Sequence, residues 1–119
     1  MISLPNPQKV TISKKGLKAL YIQRRNGRPG YWFSKATWEC FGTRILPNGF
    51  VMGERVYFIT SDLSYDRSAR IYSIRYINAD GDIRTSGGGA IKYYTASAAK
   101  VALWELRFEA EELSKQGSE

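Results

Sequence analysis

The chain has 119 residues, enough for one domain with its own core. With 43% hydrophobic and 24% charged residues it has globular proportions, which excludes a disordered or fibrous chain. It has no histidine and one cysteine, Cys40, which excludes the His-based triads, the usual zinc site and an internal disulfide. The net charge of +7 is unevenly placed. Residues 1–38 hold eight basic side chains and no acidic one, whereas residues 104–119 hold two basic and five acidic. That polarity implies a polyanionic partner.

In chain order, residues 1–7 contain Pro5 and Pro7 and are expected to be an irregular arm. MISLPNPQKV lacks the basic and apolar regions of a signal peptide, and no apolar run reaches membrane-spanning length. Lys9 to Ser13 alternates polar and β-branched residues, as a strand does. Leu17 to Gln23 fits a strand or a helix, and is read as a second strand because Gly27 and Pro29 soon follow. It is expected to form a hairpin with Tyr31-Trp32-Phe33, turning at Asn26-Gly27. Ser34 is placed to cap a short helix over 35–41, with Gly42 after its last turn. Cys40 reads as a small buried apolar residue in a reducing cytoplasm.

Leu46-Pro47-Asn48-Gly49 reads as a turn, and Phe50 to Thr60 as a strand broken near Gly53. Ser61 to Ser68 is polar and loop-like. Arg70 to Ile77 is a strand with Tyr72, Ile74 and Tyr76 on one face and Ile71, Ser73, Arg75 and Ile77 on the other. Ala79 to Asp82 turns the chain into Ile83-Arg84-Thr85, and Gly87-Gly88-Gly89 precedes a short strand, Ala90 to Tyr94. Thr95 caps a C-terminal helix over about 96–114. Ala99, Ala102, Leu103, Leu106, Ala110 and Leu113 form its core stripe, which Val101, Trp104 and Phe108 are expected to widen. Glu105, Glu109 and Glu112 share its outer side, and residues 115–119 are expected to fray. The expectation is a single α+β domain: an antiparallel sheet of five or six short strands with the C-terminal helix across one face.

Little here equips an enzyme. Ser13-Lys14 and Ser34-Lys35 are sequence neighbours whose side chains diverge. Asn78-Ala79-Asp80-Gly81-Asp82 resembles part of an EF-hand loop, but Tyr76 and Gly87 occupy its first and last ligand positions. Gly87-Gly88-Gly89 lacks the lysine and hydroxyl of a P-loop. No catalytic residue, metal or cofactor is expected.

The stretch QRRNGRPG concentrates three arginines between residues 23 and 30. Gly27-Arg28-Pro29 resembles the centre of the AT-hook, yet Asn26 and Gly30 stand where that motif is basic, so no family follows. Arginines on a narrow loop can reach phosphates or a narrow minor groove. Tyr31 or Trp32 beside them could stack a base. Strands on one helix also occur in sheet-reading DNA-binding modules and double-stranded-RNA-binding domains, an analogy of order alone. In that version Arg70, Arg75 and Arg84 line the sheet.

Two functions compete. The first is a non-enzymatic nucleic-acid-binding module, for DNA rather than RNA, that contacts phosphates through Lys14, Lys15, Lys18, Arg24, Arg25 and Arg28. If about five phosphates are neutralised, its log–log salt slope on duplex DNA is about −4 to −5. The second is a phage- or mobile-element-type accessory or inhibitor that docks on an acidic face of a larger protein. A membrane surface is not expected, because the one clear helix has an acidic outer side.

Overall fold

The computed structural model describes residues 7–30, 32–87 and 91–116, with side chains to residue 113. Among these residues are five strands and three helices: β1 (Gln8–Thr11), α1 (Lys14–Arg25), α2 (Lys35–Phe41), β2 (Arg44–Met52), β3 (Arg55–Leu63), β4 (Arg70–Ile77), β5 (Ile83–Thr85) and α3 (Ala96–Gln116). The strands form one antiparallel sheet in sequence order. The fold is α+β. The arm expected over 1–7 lies outside the described residues except for Pro7. Of the expected tail, residues 117–119 lie outside them, while 115 and 116 continue α3.

Leu17 to Gln23 is helix, not strand. Leu17, Leu20 and Tyr21 recur at helical spacing and pack against the sheet, with Leu17 and Tyr21 buried. The Ser13 side chain accepts from the Gly16 N–H at 3.1 Å, and Asn26 closes the helix in the left-handed conformation with φ 49°. The strongest turn dipeptide, Asn26-Gly27, therefore ends a helix and does not join two strands. The second strand expected of that hairpin is absent too: Trp32 and Phe33 lie in a turn that leads to α2. Helix α2 has the expected bounds, with Ser34 and Gly42 as caps.

Leu46 to Gly49 is not a turn. It lies within β2, where the pairing with β3 slips between Ile45 and Gly49, a bulge that absorbs Pro47. The break near Gly53 is the β2–β3 turn, and β4 has its expected limits. Of the expected strand over Ala90 to Tyr94, Ala90 lies outside the described residues and Tyr93 makes an isolated bridge to Tyr72. The triple glycine is described only at Gly87.

Side-chain alternation splits the core between the two faces of the sheet. Val56, Phe58 and Ile77 face α1, joined by Ile12, Leu17, Tyr21, Trp32 and Phe33. Phe50, Tyr57, Ile59 and Ile74 face α3, packed by Ala99 and Leu103. The sheet is thus covered on both faces, where one covering helix was expected. On α3 the core stripe includes Ala99, Leu103 and Ala110, but Leu113, expected in it, is exposed, and Val101, Trp104 and Phe108 are exposed rather than widening it.

Candidate nucleic-acid interface

The arginines of QRRNGRPG are turned onto the protein itself. Arg24 donates to the Glu54 carbonyl and, at 3.1 Å, to the Asn78 carbonyl. Arg25 donates to the carbonyls of Pro29 (3.0 Å) and Gly81 (3.4 Å), and pairs with Asp82 at 3.1 Å. Arg28 donates to the Arg25 carbonyl at 3.2 Å and to the Asp80 carbonyl. Together they fasten the C-terminal end of α1 to the β2–β3 and β4–β5 turns. Gly81 makes the approach possible: at φ +85°, an added Cβ would sit 2.7 Å from Arg25 Cγ and 3.0 Å from its backbone nitrogen.

The other candidates separate. Lys14, Lys15 and Lys18 are exposed on the first turns of α1, with the Lys14 ammonium 4.1 Å from the centre of the Trp38 ring. Trp32 is half-buried among Phe33, Trp38 and Phe58, with ring centres at 4.8, 5.7 and 6.1 Å. Tyr31 lies outside the described residues. Arg70 is consumed by the carbonyls of Gly42 and Ser61 and by the Ser61 hydroxyl at 2.8 Å. Arg84 sits opposite Tyr76 on the α3 face of the sheet, while Arg75 sits on the α1 face opposite Phe58. The three sheet arginines do not share a face.

Arg75 instead forms part of a groove of about 660 Å³ on the α1 side of the sheet. Asp62, Ile71, Ser73, Arg75 and Thr85 floor it, and Cys40 and Phe41 of α2 form one wall. Tyr65 and Arg67 of the β3–β4 loop and Lys92 complete its rim. Lys92 reaches this side because its neighbour Tyr93 pairs with Tyr72 on the opposite face. Arg75 is held rigidly: Nε donates to Thr60 Oγ1 at 2.8 Å and Nη1 to Thr85 Oγ1 at 3.1 Å, with Asp62 at 3.6 Å. Asp62 also accepts from the Thr43 hydroxyl at 2.6 Å. The groove therefore gathers three cations against one carboxylate.

The β3–β4 loop is braced from within. Asp66 Oδ1 accepts from the hydroxyls of Ser64 and Ser68, both at 2.7 Å, and from the Ser68 N–H at 3.0 Å. These bonds, the Ser68 hydroxyl foremost, hold the Asp66 carboxyl down to about 2. Arg67 adopts the left-handed conformation at φ 61° and donates to the Cys40 carbonyl at 3.0 Å. Tyr65, at the tip, is fully solvent-facing, and Phe41 across the groove is 52% exposed. Cys40, expected to be buried, is exposed beside them.

Sequence reading did not single out Phe41, Tyr65, Arg67 or Lys92. For Tyr65 and Arg67 the only signal was a polar, aromatic-bearing loop between two strands; Phe41 and Lys92 lie in α2 and before α3. A second concavity, of about 560 Å³, lies between α3 and the hairpin turns, over Met52, Leu106, Ala110 and Leu113. Its charged rim is Glu54, Asp80 and Glu109 against Arg55, the wrong balance for a phosphate. No group of three His, Cys, Asp or Glu side chains is arranged to hold a metal among the described residues, and no helix among them is long and apolar enough to cross a membrane.

No curated protein and no solved structure matches the chain. The model of a family of unknown function, DUF7447, matches residues 19–104, from within α1 to within α3. That span takes in every residue of the groove and well over half of the chain, which belongs to this family.

Proposed function

We propose that the protein is a non-enzymatic nucleic-acid-binding module acting in the cytoplasm, and that the groove beside α2 is its contact surface. One observation carries the reading: Arg67, Arg75 and Lys92 converge on a groove whose rim presents Tyr65 and Phe41 to solvent. Cations along a groove follow a phosphate backbone, and exposed aromatic rings stack bases whatever their identity. Exposed rings of this kind stack unpaired bases, which favours a single strand over a duplex. Lys14, Lys15 and Lys18 add long-range attraction from the same side of the sheet.

Titration of labelled single-stranded DNA, single-stranded RNA and duplex DNA tests the proposal. The single strands should bind most tightly, with a log–log salt slope of about −2 for about three neutralised phosphates. Absence of binding to all three at about 50 mM salt would end it. A second reading, an accessory protein that docks on an acidic protein face, draws on Lys15, Lys18 and Ile22, which are exposed together on α1.

A further inference from the structure

The two faces of the sheet carry helices of opposite character. On α3, Val101, Trp104 and Phe108 recur at steps of three and four and share one stripe, 55%, 62% and 51% exposed. That stripe lies on the reverse of the buried one formed by Ala99, Leu103 and Ala110. The Trp104 and Phe108 rings stack in solvent with centres 5.9 Å apart. The core does not use these side chains, and a central tryptophan with apolar neighbours is the composition of a binding hot spot. Glu105 lies at one edge of the stripe and Lys100 at the other, with Glu109 beyond Glu105, all exposed.

On α1 the outward surface is formed by Lys15, Lys18, Ala19 and Ile22, with Ile22 60% exposed. No acidic residue precedes position 39. We propose that α3 of one copy of this chain receives α1 of the next, head to tail. Ile22 and the lysine stems cover Phe108 and Val101, one ammonium sits over the Trp104 indole, and the other meets Glu105. The molecule already contains one such contact, Lys14 over Trp38.

Charge selects this partner over a second α3. The midpoint of the stripe falls between residues 104 and 105, so a two-fold antiparallel pairing would set Glu105 against its own copy. A parallel pairing would run the two acidic C-terminal halves, Glu105 to Glu112, side by side. Because α1 and α3 lie on opposite faces of the sheet, each contact leaves one α1 and one α3 free. The assembly then grows by repetition instead of closing as a dimer. This inference builds on the second reading, with the acidic face supplied by the chain itself, and is independent of nucleic-acid binding.

Sedimentation velocity without nucleic acid tests it. The wild-type mass should rise with concentration and fall back as salt is added. Trp104→Ser/Phe108→Ser and Lys15→Glu/Lys18→Glu should each be monomeric, with wild-type circular dichroism. Mixed together they should form a one-to-one pair and nothing larger, since each keeps the surface the other lacks. A wild type that stays monomeric up to about 1 mM overturns the proposal. So does a lysine variant that still associates, or a mixture that stays monomeric.

Discussion

Two regions of this molecule place arginine differently. At the end of α1 and just beyond it, Arg24, Arg25 and Arg28 fold back on the protein and give donors to backbone carbonyls of the two hairpin turns. In the β3–β4 loop, serine hydroxyls and one aspartate satisfy the backbone locally, which leaves Tyr65 in solvent and Arg67 on the rim of a groove. The denser cluster of charge in the sequence is thus the one that braces the two hairpin turns, and the groove draws its cations from elsewhere. A guanidinium has five donors and readily organises a turn, so arginine density in a sequence measures scaffolding as much as binding.

The contrast breaks most visibly through stability. Gly81→Ala places a side chain at positive φ against the end of α1, and should cost about 2–3 kcal/mol in denaturant unfolding. Arg25→Ala should cost about the same, through three carbonyl or carboxylate partners left behind. Where they remain folded, both variants should bind nucleic acid as the wild type does. Tyr65→Ala should do the reverse: an unchanged melting temperature and single-strand affinity about tenfold weaker, the loss of one stacked base.

Smaller effects sharpen the same comparison. Arg67→Gly suits the left-handed backbone, so stability should stay within about 1 kcal/mol of wild type while the salt slope falls by about 0.7. Acid should loosen the binding loop selectively. The Asp66 carboxyl titrates at about 2 in the fold against an ordinary 3.8, so its bonds stabilise the loop above that ordinary value. The contribution is lost as pH falls from about 4 through about 2. Amide exchange should quicken first at Ser68, and Asp66→Asn should show the fast exchange at neutral pH.

Much of the fold was legible in the sequence because local signals agreed with tertiary ones. The alternation of Arg70 to Ile77 gave β4 with its faces, and the Ser34, Gly42 and Thr95 caps marked helix ends. Helix α1 was misread although Leu17, Leu20 and Tyr21 already carried its period. Asn-Gly supplies the same left-handed geometry to a helix end as to a hairpin. The reading of α3 erred differently. Trp104 and Phe108 are apolar, but burial depends on what faces a residue, and the sheet occupies only the opposite side of the helix.

The groove was the least legible part. Its residues come from α2, β3, the β3–β4 loop, β4, β5 and the segment before α3, and only the antiparallel register brings Arg75, Thr85 and Lys92 together. Arg75 was singled out only as one of three arginines expected to line the sheet. Its neighbours could not be, since no sequence spacing links them.

The most direct measurement sets the two arginine populations against each other. Single-stranded DNA would be titrated across a salt series with Arg67→Gln/Lys92→Gln and with Arg24→Gln/Arg28→Gln. The account predicts that the groove variant loses about tenfold or more in affinity and about 1.4 in slope, while the arginine-segment variant keeps the wild-type slope. A groove variant that binds as the wild type does, beside an arginine-segment variant that does not, would contradict it.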